Sequence, residues 1–312
     1  MPEYRKLIGF GKSSLVVSLP KDWVQKNKLK KGDTISMNVL EDQLNLSAQD
    51  KPIEAPLKTA TIRTENKSKE KIRGEIVAAY LMGNNVIEVR GDNLKDHAQF
   101  VKSVLQNFAG LELMEQDAKK IVAKDLIDLS ELSVNTILRR VDIILRSMFQ
   151  DAISEEDTVD NLFARDKDVN RLVYLVRRVI RLALEDHRVA KRLKVTNLEL
   201  LKEHEMMRWM ELSGDQIKRV NKLMNELPKN YKSKSELFDM LKKMEVMYLE
   251  VMKAFHTNNV EKAYEINISH DSLLVELDQL SKQHNTYPSV RIVQILINLS
   301  HNIKNLSRTV IL

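Results

Sequence analysis

The sequence predicts a multidomain α+β protein, with a β-containing unit at the front, a small α/β module in the middle and a C-terminal, all-α pair of three-helix bundles. Three observations predict it. Seven of the eight glycines (Gly9, Gly11, Gly32, Gly74, Gly83, Gly91 and Gly110) precede residue 111 and only Gly214 follows, so turns concentrate early and long helices late. From residue 129 onward the apolar residues recur at helical spacing. Prolines mark the seams: Pro52 and Pro56 in the linker-like DKPIEAPL, Pro228 in ELPKNYKSKS and Pro288 in QHNTYPSV. The boundaries that follow are 1–50, 57–127, 129–226 and 232–312.

In the first unit YRKLIGF reads as a strand with a basic start, GKS as a turn, and SLVVSLP as a second strand ended by Pro20. KDWVQKNKL follows as a short helix whose Trp23, Val24 and Leu29 can pack. KKGD is a tight turn, and TISMNVL and QLNLS form a closing hairpin across Glu41 and Asp42. A unit this small has little core of its own and open strand edges; pairing with a second copy would remedy both. A homodimer or higher oligomer is therefore expected.

The middle alternates. KTATIRT is a strand, KSKEKIRGEIVAAYLMG a helix, NNVIEVRG a strand, DNLKDHAQFVKSVLQNFAG a helix, and LELMEQDAKKIVAKDLI a pair of short strands. This is a β-α-β-α-β-β module without a phosphate-loop or dinucleotide glycine pattern. Beyond it, one apolar stripe runs from Val134 to Phe149, a second from Val169 to Ile180 and a third from Met206 to Met224. After Pro228 come a stripe from Leu237 to Phe255, a weaker helix over 259–283 and a last stripe from Ile292 to Val310. Six helices in two groups of three suggest a duplicated bundle. FARDKDVNRLVYLVRR and INISHDSLLVELDQLSK echo each other across the duplication, with Asp168 and Asp271 in comparable places.

Composition narrows the function. With 43% hydrophobic and 30% charged residues over 312 positions the chain is globular material. It has no uncharged apolar segment long enough to span a membrane, and MPEYRKLIGF lacks a continuous apolar signal core; the expectation is a cytoplasmic protein without membrane insertion. The absence of cysteine removes disulfides, thiolate zinc sites and cysteine nucleophiles, leaving oxygen and imidazole as metal ligands. Of the net charge of +6, the first 32 residues account for as much: eight Lys and Arg against Glu3 and Asp22. Clustered cations of this kind displace counterions from a phosphate backbone. No convergent acid, base and nucleophile set is visible, so the chain does not read as an enzyme.

Gly11, the run LVVSLP, Lys21, Trp23, Leu29, Lys30, Gly32 and Asp33 give the first unit its resemblance to the swapped-hairpin DNA-binding domains of the AbrB family. The resemblance implies a β-barrel interleaved from two chains, with double-stranded DNA as partner. Basic residues of the first strand, the turn and the helix after the proline face DNA in that family, and here they correspond to Arg5, Lys6, Lys12, Lys21 and Lys26. The turn GKSSL is longer than in the shortest family members.

In the helical half, Glu211 and Asp215 in MRWMELSGDQIKR are spaced i, i+4 and share a helix face with His204, a face that points away from the bundle's apolar stripe. Two carboxylates one turn apart can bridge a hard cation. They equally suit an exposed ion-paired face, with Arg208 three residues before Glu211 and Lys218 three after Asp215. The paired bundles and the Glu-x-x-x-Asp motif resemble the PhoU family of phosphate-transport regulators, in which such motifs on neighbouring helices hold surface metal clusters. The resemblance implies at most one divalent or trivalent metal site, formed in the first bundle by Glu211, Asp215 and Asp166 with Asn170 assisting, or by Asp168 instead. In the second bundle the equivalent positions carry Ser269, Leu273, Asn298 and Asn302 and supply no anionic charge.

An AbrB-like head on a PhoU-like body is similar to archaeal-type phosphate uptake regulators. The function so implied is a dimeric DNA-binding transcriptional regulator of phosphate uptake, whose helical half senses a partner, a metal or a phosphate-related signal. The alternative is a PhoU-like accessory protein that contacts a phosphate transporter or sensor, with the barrel serving only to dimerise it.

Overall fold

Gly11 reverses the chain at the front of the molecule. In the computed structural model, which describes residues 4–40, 43–48, 57–128, 132–154, 159–228, 230–231, 233–284 and 287–312, β1 (Ile8–Phe10) and β2 (Ser14–Val16) pair antiparallel with Phe10 opposite Ser14. The loop is thus three residues, and Gly11 takes the φ of +71° that an L side chain resists. Helix α1 (Lys21–Lys26) begins after Pro20, whose fixed φ of −58° leads the chain into it. It ends in a Schellman motif: the Lys28 and Leu29 N–H groups donate to the carbonyls of Gln25 and Val24, each at 3.0 Å, with Lys28 in the left-handed region. In KKGD the Asp33 N–H donates to the Lys30 carbonyl at 3.0 Å, and the Asp33 carboxylate accepts from the Lys30 N–H at 2.7 Å. β3 (Ile35–Leu40) and β4 (Gln43–Ala48) then pair antiparallel. The turn residues Glu41 and Asp42 and the linker prolines Pro52 and Pro56 lie outside the described residues.

A single chain does not close the barrel that the sequence suggests. The two hairpins are separate two-stranded sheets, and among the described residues up to 48 no side chain is buried. Two hairpins and one helical turn and a half bring too few apolar side chains together to bury any of them.

The chain divides after residue 56 into two units. The second begins with β5 (Thr59–Arg63), α2 (Lys69–Leu81), β6 (Val86–Arg90), α3 (Leu94–Leu105), β7 (Leu111–Gln116) and β8 (Lys120–Asp125). These make one four-stranded sheet in the order β5-β6-β8-β7; β5 and β6 run parallel, and the β7–β8 hairpin is inserted antiparallel with β8 against β6. Ile72, Ile76 and Tyr80 of α2 and Val101 of α3 bury against Ile62, Ile87, Val89 and Ile121 of the sheet.

Among the described residues seven helices follow: α4 (Val134–Ile153), α5 (Val159–Glu185), α6 (His187–Leu193), α7 (Asn197–Glu226), α8 (Lys234–Thr257), α9 (Val260–Gln283) and α10 (Ser289–Ile311). The short α6 is the one that periodicity does not reveal, because seven residues are too few to show a stripe. Asp186 starts it by accepting the Arg188 N–H at 2.9 Å. Thr196 and Glu199 start α7 with a reciprocal capping box. The six long helices fall into two groups of three, but the most extensive helix–helix interface joins α7 of the first group to α10 of the second. The groups are one continuous body.

Beyond its apolar core, contacts at Gly214, Asp142 and Arg178 join elements of this unit. At Gly214 a Cβ would stand 2.9 Å from Leu145 Cδ2, so glycine is what lets α7 approach α4. Asp142 of α4, 3% exposed, accepts from Arg146 Nε and Nη2, from the Tyr248 hydroxyl at 3.1 Å and from His256 Nε2 at 3.2 Å, which ties α4 to α8. Arg178 of α5, 2% exposed, donates to the carbonyls of Tyr80 (2.8 Å) and Asn84 (3.2 Å) and to the Asp125 carboxylate (2.6 Å). Its guanidinium also lies 4.6 Å from the Tyr80 ring centroid. This side chain is a polar fastening of the α/β module to α5, beside the packing of the Tyr174 ring on Phe108.

Candidate functional site

The five cations expected to meet DNA are distributed along the front unit. Arg5 and Lys6 precede β1, Lys12 is at the tip of the β1–β2 loop, Lys21 opens α1 and Lys26 closes it. All five are exposed. The longer turn around Ser13 and Ser14 resolves into the three-residue loop 11–13, with Ser14 already in β2. Alongside the cations the unit exposes large apolar side chains, among them Phe10 (70%), Leu15 (67%) and Val39 (73%). A small unit carrying so much uncovered apolar surface beside its charge has the character of an interface.

The carboxylates of the helical half are brought together by α5 and α7 and are paired with two protein cations, Lys218 and Arg177. Lys218 Nζ lies 2.6 Å from Asp166 Oδ2 and 3.0 Å from Asp215 Oδ1, while Asn170 Nδ2 donates to Asp166 Oδ2 at 3.2 Å. Glu211 is ion-paired to Arg177 of α5. The face therefore looks across to α5 rather than out to solvent. Burial alone would lower the Lys218 ammonium, but its hydrogen bonds to Asp166 and Asp215 outweigh that and hold it above its ordinary value. Burial raises the Glu211 carboxyl, Arg177 works against the rise, and the nearby Asp215 and Asp166 add to it.

These residues do not fit a metal cluster as placed. The ammonium of Lys218 occupies the position between Asp166 and Asp215 that a cation would need, and Glu211 is already committed to Arg177. No group of three or more His, Asp or Glu among the described residues is arranged to hold a metal ion. Asp168, the alternative ligand, is exposed on α5. The expected site at Asp166, Asn170, Glu211 and Asp215 is thus a proximity of four residues knitted by ion pairs. Arg208, the partner suggested for Glu211 by spacing, instead lies 3.9 Å from Glu205.

Residues 10–53 match the family model described as antidote-toxin recognition MazE, bacterial antitoxin. The front unit is similar to a MazE/AbrB-like antidote domain. Comparison with curated proteins and comparison with solved structures each give no match. The matched stretch contains Lys12, Lys21 and Lys26 and the uncovered Phe10, Leu15 and Val39; it ends before the second unit begins.

Two features of the second unit escaped sequence reasoning. Arg178 sits between Arg177 and the apolar Val179 and Ile180, and only docking of the sheet shows which arginine is buried. A cavity of about 650 Å³ opens beside Asp166 and Asn170, where α2 and the end of α3 meet α5; its walls come from segments far apart in sequence. No helix among the described residues is long and apolar enough to cross a membrane.

Proposed function

We propose that this protein is a DNA-binding transcriptional regulator that grips duplex DNA as a homodimer through its front unit, and that phosphate uptake is the process it regulates. The observation that carries the DNA reading is the set of five exposed cations, Arg5, Lys6, Lys12, Lys21 and Lys26, on a unit whose matched stretch is MazE/AbrB-like. Such cations supply sequence-independent affinity by releasing counterions. Base reading falls to few groups, since Arg5 is the only arginine of the front unit. The phosphate assignment rests on the likeness of the paired helical bundles to PhoU, and the helical half is where a signal would act.

The test is the salt dependence of duplex binding by the full chain. Affinity is expected to fall steeply between low and moderate salt, and Lys12→Ala with Lys21→Ala to flatten the slope by about one for each phosphate that is no longer neutralised. Failure of the full chain to bind any duplex at low salt sinks the DNA reading. Recovery of genomic fragments bound in cells tests the phosphate part, with enrichment beside phosphate-transport genes expected. A second reading is favoured by the matched family's description, antidote-toxin recognition: the uncovered apolar side chains of the front unit would seat a protein partner. A partner that co-purifies with the wild type and is absent from Phe10→Asp, in a protein that ignores duplex DNA, selects this reading.

A further inference from the structure

Gly74 stands in the middle of α2 with no packing reason to lack a side chain. Glycine is among the least favourable residues for a helix interior, yet a Cβ built at Gly74 meets nothing within 4 Å. What the missing side chain leaves open is the cavity of about 650 Å³ between α2, the end of α3 and α5, a size typical of small-molecule sites.

The groups around it are chemically sorted. Arg73 and Lys167 line it, both exposed, and neither makes an ion pair among the described residues. Asn107 presents an amide, Asn170 an amide whose Nδ2 also donates to Asp166, and the Tyr174 ring packs edge-on to Phe108 at 5.1 Å between centroids. Two carboxylates also line it. Asp166 is held by Lys218, whereas a backbone hydrogen bond and Ser68 hold the Glu70 carboxyl below the ordinary carboxylate range.

We propose that this cavity binds a mononucleotide, with Arg73 and Lys167 on the phosphate, Glu70 accepting sugar hydroxyls, the two amides on the base edge and Tyr174 against the base face. A guanidinium suits a phosphate fork and an ammonium adds a point charge. An aromatic ring gives a base a sequence-tolerant stacking platform. Bare phosphate would leave the amides, the ring and Glu70 unused, and a metal ion would face two cations. The proposal is independent of the DNA reading, because every residue it uses lies in the second unit.

The experiment is isothermal titration of the full chain with AMP, GMP, CMP and UMP, and with adenosine and inorganic phosphate as comparators. At least one mononucleotide is expected to saturate one site per chain with a dissociation constant below about 1 mM, and the comparators to bind about tenfold or more weakly. Gly74→Leu fills the open wall and should abolish this binding with a thermal midpoint no lower than wild type, since leucine is the better helix former. Arg73→Ala should weaken it about tenfold or more. The proposal is overturned if no mononucleotide saturates a site, if inorganic phosphate binds as tightly as the best nucleotide, or if Gly74→Leu and Arg73→Ala leave the affinity within about twofold of wild type.

Discussion

Glu203 on α7 has one carboxylate oxygen buried without a hydrogen-bond partner, and burial, reinforced by Glu199, pushes its carboxyl up to about 7. The folded chain therefore keeps a proton that the unfolded chain releases near 4.5. Its cost to stability is absent below that pH, grows as pH rises toward 7 and stays in full above it. Glu203→Gln is neutral at every pH, so it should raise the thermal midpoint at pH 8 and leave it nearly unchanged at pH 4; circular dichroism melts at the two pH values check this. His270 acts on the acid side. Its ring is 0% exposed with Nδ1 3.8 Å from the Asp271 carboxylate, and burial first, then Lys304 and His301, bring it down to about 4 from 6.5 against the opposing pull of Asp271. Here the unfolded chain takes up the proton first, and stability is lost as pH falls from about 6.5 toward 4. Neither group betrays itself in sequence, because a shift of this kind is caused by neighbours that only the packed helices supply.

At the scale of elements, Arg178 supplies the buried polar part of the join between the α/β module and α5. Arg178→Ala would leave the Asp125 carboxylate buried without its cation and the Asn84 carbonyl without the guanidinium, while the Tyr80 carbonyl keeps the Gly83 N–H at 3.0 Å, so unfolding in denaturant should show a loss of about 3–5 kcal/mol. Burial already raises the Asp125 carboxyl, and Arg178 is what opposes the rise. The double variant Arg178→Met, Asp125→Leu removes both charges and should lose less than Arg178→Ala alone; a double variant at least as unstable would mean that the carbonyl contacts, not the ion pair, make the join. Elements themselves were legible: the strand and helix alternation over 57–127, and the five stripes and one weaker helix after 129, all have counterparts in the structure. Gly214 was legible as an exception, a single glycine in a glycine-free half, and the close approach of α4 explains it. Pairings between elements were not. Spacing finds Asp215 with Lys218, three residues apart, but not Lys218 with Asp166 or Glu211 with Arg177, because periodicity fixes which face a residue lies on and says nothing of which helix covers that face. The same limit hid the cavity at Gly74.

For the whole molecule, the two units differ in what they can do alone. Residues 57–312 hold a large buried core, whereas the described residues up to 48 bury nothing and leave Phe10 and Leu15 on neighbouring strands more than two-thirds exposed. Two-stranded sheets without a buried face are marginal in water, and an apolar surface on so small a unit is covered most simply by another copy of itself. Light scattering of the full chain is therefore expected to give a dimer. Leu15→Asp should turn it into a monomer that has lost strand signal and duplex binding together, while the main unfolding transition of the second unit stays where it was, since no residue of its core is touched. Loss of duplex binding with the dimer intact would separate the two roles and place Leu15 at the DNA rather than at the partner chain. A Leu15→Asp protein that remains dimeric and binds duplex as before would show that this apolar face is not the contact between copies.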